Sequence, residues 1–176
     1  MKPMNGGEVF FVDTNVLLYA VDPVDDGKRQ LAMDWLDDLW MRGAGRLSWQ
    51  VLHEYYWNAL KKMQLHPAIA QETVAALAHW RPVDTSLGLI ERAWQLIDAA
   101  LLSYWDALII AAAERSGARY VLSEDFQDGR EYGGLRVVNP FTHTASDFRA
   151  DDYFRGSTAT SPRNSRKNRP RMSPRQ

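Results

Sequence analysis

The sequence predicts an α/β fold, with a small and mostly parallel sheet flanked by helices. Three observations carry that expectation. Short apolar runs at residues 8–12, 119–122 and 135–138 alternate with longer stretches of helical periodicity. The first two runs end abruptly in polar, acid-containing clusters, as strands do when they emerge at the ligand-binding edge of a parallel sheet. The chain has 176 residues, 45% of them hydrophobic, which suits one core with a possible tail.

Residues 8–12, Glu-Val-Phe-Phe-Val, read as a buried strand, and Asp13-Thr14-Asn15 then opens a short helix over 16–20. Asp22-Pro23 and Asp25-Asp26-Gly27 form a loop. From Lys28 a helix carries the stripes Leu31, Trp35, Leu39 and Ala32, Leu36, Trp40, with Asp34, Asp37 and Asp38 on its wet side, until Gly43 and Gly45 end it. Residues 46–48 are a possible short strand, and Ser48 caps a helix reaching about Met63. Pro67 starts another, with Val74, Leu77 and Ala78 inward, and residues 80–83 break it. Ser86 caps a long helix whose apolar stripe is Leu87, Ile90, Trp94, Ile97 and Leu101. Ser103 caps the next, from Tyr104 to Arg115, which Gly117 stops. Gly129, Gly133 and Gly134 mark a loop before the last strand. There is no internal repeat.

Composition excludes several classes of chemistry. The absence of Cys rules out disulfides, thiolate zinc sites and Cys nucleophiles, and fits a cytoplasmic protein. The apolar stretch from Val9 to Val21 is broken by Asp13 and Asn15, so no signal peptide is expected, and no run is long enough to span a membrane. The net charge of −1 hides a split: residues 157–176 hold six basic groups and no acid, leaving 15 basic and 22 acidic groups elsewhere, a net of −7. A single domain over 1–150 followed by a disordered basic tail over 151–176 is the expected organisation. Such a tail reads equally as an arm for nucleic acid or as a solvated extension.

Four acids stand out: Asp13, Glu54, Asp106 and Asp125. Asp13 follows an apolar strand and serves naturally as an N-cap, yet Thr14 and Asn15 beside it cap equally well, so the cluster holds more oxygen than a cap needs. Glu54 borders an apolar helix face and carries a weak signal alone. Asp106 completes a capping box with Ser103, but the helix it opens, Ala107-Leu108-Ile109-Ile110-Ala111-Ala112-Ala113, is apolar all round and therefore buried. An Asp at the start of a buried helix needs a partner, and a cation is one candidate. Asp125 lies in Ser123-Glu124-Asp125, after a strand, where a polar turn is the plain alternative; Asp128, in Asp-Gly, competes for the same role. Carboxylates scattered in sequence and gathered in space are the usual ligands of Mg²⁺ or Mn²⁺. His53, His66, His79 and His143 fit no zinc spacing.

In their order, the segments Phe11-Val12-Asp13-Thr14-Asn15-Val16-Leu17, the helix bearing Glu54, Tyr104-Trp105-Asp106-Ala107-Leu108-Ile109, and Val121-Leu122-Ser123-Glu124-Asp125 resemble those of a PIN domain, the ribonuclease domain of VapC-type toxins. The resemblance covers about residues 8–141. It implies a PIN-like three-layer sandwich. It implies an acidic metal site formed by Asp13, Glu54, Asp106 and Asp125, supported by Thr14, Asn15 and Ser123. Asp13, Asp106 and Asp125 would hold one or two Mg²⁺ or Mn²⁺ ions, with Asp128 as an alternative ligand, and Glu54 would orient or deprotonate water. Asp125 takes precedence over Asp128 from the Ser-x-Asp spacing. The implied activity is metal-dependent endoribonuclease cleavage of RNA, in a homodimer whose small antitoxin partner blocks the cleft. A catalytically silent PIN-like module that binds RNA or protein is the alternative. A haloacid-dehalogenase-like phosphatase is disfavoured, because Asn15 stands where its second Asp belongs, and a receiver-type acidic pair with a later Lys is not evident.

Overall fold

The computed structural model describes residues 8–148. The expected basic tail, and the domain boundary at residue 150, lie outside them. The elements run β1 (Phe10–Val12), α1 (Thr14–Tyr19), α2 (Asp26–Arg42), β2 (Gly45–Arg46), α3 (Trp49–Lys61), α4 (Pro67–Leu77), α5 (Leu87–Ala100), α6 (Tyr104–Arg115), β3 (Tyr120–Leu122), β4 (Glu131–Tyr132) and β5 (Leu135–Val138). The five strands form one sheet in the order β2-β1-β3-β5-β4, flanked by the six helices, as the α/β expectation requires. All pairings are parallel except the β4–β5 hairpin.

β1 is central and wholly buried: Phe10, Phe11 and Val12 expose nothing to solvent. A parallel strand covered on both faces reads as a continuous apolar run, which is why these three residues do not alternate with polar ones. Phe10 stacks on Tyr120 at 4.8 Å and meets Trp35 of α2 at 5.2 Å. The Trp35 indole N–H donates to the carbonyls of Pro140 and His143, tying α2 to the segment after the last strand. α6 packs on β3 and β5 through a run from Ala107 to Ala113 that is buried throughout.

Caps fall where polar residues precede apolar runs. Ser48, Ser86 and Ser103 each accept a backbone N–H in the first turn of α3, α5 and α6, and Gly43 ends α2 in the left-handed region with φ 63°. The strand expected over 46–48 is shorter, Gly45–Arg46, and Ser48 makes only an isolated parallel bridge to Val83.

The inward face of α5 differs from the expected stripe. Leu89, Ala93 and Leu96 are buried, whereas Leu87, Trp94 and Leu101 are exposed. The chain turns by 115° between α5 and α6, and the packed face of α5 is the one with small Ala93 at its centre, which permits close approach. The hairpin strand β4 and a 3₁₀ turn at Ala145–Phe148 were not expected from the sequence. Among the described residues no single helix is long and apolar enough to cross a membrane.

Trp80, at the end of a 3₁₀ turn (Ala78–Trp80), lies flat on Gly45 of β2. A Cβ at residue 45 would meet three ring atoms of Trp80 at 2.5–2.6 Å. Gly45→Ala is therefore expected to destabilise the protein by about 1–3 kcal/mol, the usual cost of overpacking. Urea unfolding checks this: an unchanged midpoint would show that Trp80 moves aside freely.

Candidate active site

Strand register builds the site. Val12 pairs with Leu122, and Leu122 with Val138, so the next residues along, Asp13 and Ser123, emerge side by side at the carboxyl edge of the sheet. The Asp13 N–H continues the ladder to Leu122 O at 3.1 Å, and the Ser123 N–H reaches Val138 O at 3.0 Å. Asp13 is 7% exposed and Ser123 fully buried. α1 starts immediately, with Asp13 as its N-cap, which brings Thr14 and Asn15 over the same edge.

The side chains are bonded to one another. Ser123 Oγ donates to Asp13 Oδ2 at 2.7 Å, and the Thr14 backbone N–H donates to Asp13 Oδ1 at 2.7 Å. The Asn15 amide lies at 3.0 Å from Asp13 Oδ2, 2.9 Å from Ser123 Oγ and 3.0 Å from Asp125 Oδ2. Asn15 Oδ1 accepts from the Glu124 N–H, and Ser123 Oγ accepts from the Asp125 N–H. From α3, Glu54 Oε2 accepts the Thr14 hydroxyl at 3.0 Å, while its Oε1 accepts from the Gln50 amide at 2.9 Å. Six of the expected residues, Asp13, Thr14, Asn15, Glu54, Ser123 and Asp125, thus belong to one hydrogen-bonded cluster.

Asp106 stands apart from this cluster's bonds. It sits in the first turn of α6, where its carboxylate accepts the Ser103 hydroxyl at 2.7 Å and its N–H donates to Ser103 Oγ, completing the capping box. Its neighbour Trp105 lines an open groove of about 720 Å³ that Glu54, Trp49 and His53 also line, so the start of α6 faces α3 across that groove. Asp128 is engaged elsewhere. It accepts the Asn139 N–H at 2.9 Å and pairs with His143 at 2.9 Å, bracing the turn after β5.

Two supports were missed in the sequence. Gln50 sits one helical turn before Glu54, a spacing that was readable. Lys28 of α2 pairs with Glu124 and lies over the rings of Tyr19 and Phe141, pinning the β3 loop to α2; no local signal joins residues so far apart.

Burial pushes the Asp13 carboxyl up to about 6, and the nearby Asp125 and Glu54 charges add to the rise, against the Ser123 and Thr14 hydrogen bonds that lower it. A buried carboxylate with acidic neighbours calls for a cation, and an all-oxygen set of Asp and Glu is the donor chemistry of Mg²⁺ or Mn²⁺. The Asn15 amide hydrogens, lying between Asp13 and Asp125, partly meet that need in this structure. Among the described residues no three acidic or His side chains stand together as a ready ligand cage, because Asn15 lies between two of the acids and Ser103 holds a third.

The raised value has a definite sign for stability. The native state holds a proton that the unfolded chain loses near pH 3.8, so stability contributed by Asp13 falls as pH rises from about 4 to 6 and stays lost above. The shift corresponds to a penalty on the order of 3 kcal/mol at neutral pH. Asp13→Asn should therefore unfold several degrees higher than the parent protein at pH 8 in EDTA, with no advantage at pH 4. Identical pH profiles for the two proteins in thermal scans would show that the Asp13 carboxyl is not strained.

Comparison with known proteins agrees with this geometry. The family model described as PIN domain matches residues 10–127. Among solved structures, a toxin–antitoxin complex from Klebsiella pneumoniae aligns with a TM-score of 0.54 and 23% identity, covering 76% of this chain and 98% of that one. VapC20 of Mycobacterium tuberculosis, a sarcin–ricin-loop-cleaving toxin, aligns with a TM-score of 0.50 and 20% identity, covering 72% and 98%. No curated protein sequence matches significantly. The family model spans all four elements that carry the acids, from β1 to the loop after β3, and the chain belongs to the PIN domain family.

Proposed function

We propose that this chain is a metal-dependent endoribonuclease acting as the toxin of a VapC-type toxin–antitoxin pair. The observation that carries the reading is the cluster joining Asp13, Asn15, Ser123, Asp125, Thr14 and Glu54 at the carboxyl edge of the sheet, in a chain of the PIN family. The two solved neighbours, described as a toxin–antitoxin complex and as a sarcin–ricin-loop-cleaving toxin, support the toxin assignment.

Asp13, Asp125 and Asp106 are the residues that would hold Mg²⁺ or Mn²⁺, Asp106 by turning from Ser103. Once bound, the cation supplies a nucleophilic water and offsets charge on the scissile phosphate. Asp13 must lose its proton for this, and Ser123 and the Thr14 N–H stabilise the resulting anion. Glu54, held by Thr14 and Gln50, would orient the attacking water and accept its proton. The exposed apolar face of α5, with Leu87 and Trp94 two turns apart, suits a second copy of the chain, and the acid-edged groove suits a small antitoxin.

RNA cleavage is expected in Mn²⁺ and not in EDTA. Asp13→Ala, Asp106→Ala and Asp125→Ala should each reduce the rate by at least about 100-fold while circular dichroism shows the fold retained. Equal RNA cleavage with and without EDTA, or full activity of the Asp13→Ala and Asp106→Ala proteins, would remove the reading. For the assembly, sedimentation should give a dimer that Trp94→Glu converts to monomer; a monomeric parent protein would contradict it.

A further inference from the structure

We propose that the groove leading away from Glu54 is a track for single-stranded RNA, with bases stacked on Trp49 and Trp105 and phosphates held by Arg46, Arg81 and Arg115. The proposal rests on the nuclease reading and deepens it, by specifying where the strand beyond the cleaved bond lies.

The track begins at the acids. Glu54 lines the same groove as Trp49 and Trp105, residues that are 37% and 63% exposed, so neither belongs to the core. Asp84 lines this groove and also the next, of about 340 Å³, together with Arg46, Arg81, Ser86 and Arg115. Arg46 and Arg81 in turn line a third depression, of about 320 Å³. The shared residues make the three depressions one continuous path.

Among the described residues, the arginines on that path form no salt bridge. Of the arginines off the path, Arg29, Arg42, Arg92 and Arg119 each form a salt bridge, whereas Arg130 reaches the Ala100 carbonyl and Arg136 lies apart from the grouped three. Arg46 donates only to the carbonyls of Gly43 and Gly45, Arg115 reaches only Ser86 Oγ at 3.4 Å, and Arg81 has no hydrogen bond among the described residues. Acids outnumber bases over residues 1–156, so three guanidiniums against the single carboxylate of Asp84 in the middle depression are a local reversal of charge suited to a polyanion. The Trp80 ring, seated on Gly45, fixes the residue before Arg81 against β2.

Exposed aromatic rings followed by cations match single-stranded nucleic acid, whose bases offer flat faces and whose backbone offers a charge at every step. An acidic protein segment would use the arginines but has no reason to need the two exposed indoles.

The test uses the full chain and a fluorescein-labelled single-stranded 12-nucleotide RNA of mixed sequence. Binding is followed by fluorescence polarisation in EDTA over a range of salt. The Arg81→Ala/Arg115→Ala protein should bind about tenfold or more weakly, with the salt slope reduced by roughly 1.4, the value for two phosphate contacts to a single strand. Trp105→Ala should lose roughly 5- to 150-fold with the slope kept, because a stacked base carries no charge. Lys62→Ala, an exposed lysine outside the groove, should bind as the parent does. In Mn²⁺ both groove variants should raise KM and keep kcat at saturating RNA. Parent-like affinity, slope and KM in the groove variants would overturn the track while leaving the nuclease reading intact. Loss of affinity for a poly-glutamate peptide but not for RNA would overturn it in favour of an acidic protein partner. If the parent chain neither binds nor cleaves RNA, the track and the nuclease reading both fall.

Discussion

Everything at this site depends on a carboxylate buried at the end of the central strand. Asp13 follows three residues with no solvent exposure and is itself almost fully enclosed. A lone ion in such a place is costly, so the surrounding structure is arranged to answer it. Ser123, the Thr14 backbone and Asn15 each bring a donor to it. Those donors are present because the register of β1 and β3 is fixed; a one-residue slip would turn Asp13 and Ser123 to opposite faces.

The same constraint links fold to chemistry. Burial, with the Asp125 and Glu54 charges adding to it, holds the Asp13 carboxyl above its ordinary range despite the hydrogen bonds from Ser123 and Thr14. The site therefore holds a proton below about pH 6, and on the proposed reading a divalent cation would take that proton's place. Stability is given up where function needs charge, a familiar trade at active sites. The Asn15 amide between Asp13 and Asp125 shows where positive charge is wanted. Asp106 differs because its helix cap already satisfies it, so recruiting it requires turning from Ser103.

Much of this was legible in the sequence because strand ends are abrupt. Phe-Phe-Val before Asp13 and Tyr-Val-Leu before Ser123 are short buried runs, and polar residues directly after such runs must lie at one edge of a parallel sheet. The serine caps were readable for the same local reason. The choice between Asp125 and Asp128 turned on spacing, and the structure joins Asp125 to the cluster while Asp128 holds a turn with His143. Less legible was anything decided by packing between distant elements. Size and periodicity favoured Leu87, Trp94 and Leu101 as the inner face of α5, but contact with α6 selects the face with Ala93. Two-residue β4 has too few residues to show a period, and the Lys28–Glu124 pair joins residues that nothing local connects.

The central claim is that the acids converge on a divalent cation. A crystal structure of the full chain grown with Mn²⁺, with the metal located by anomalous scattering, tests it most directly. The account predicts a peak about 2.0–2.3 Å from oxygens of Asp13 and Asp125, with Asn15 displaced from between them and Asp106 turned away from Ser103. Mn²⁺ bound elsewhere, or no peak at millimolar metal with Asn15 still bridging the two carboxylates, would contradict it.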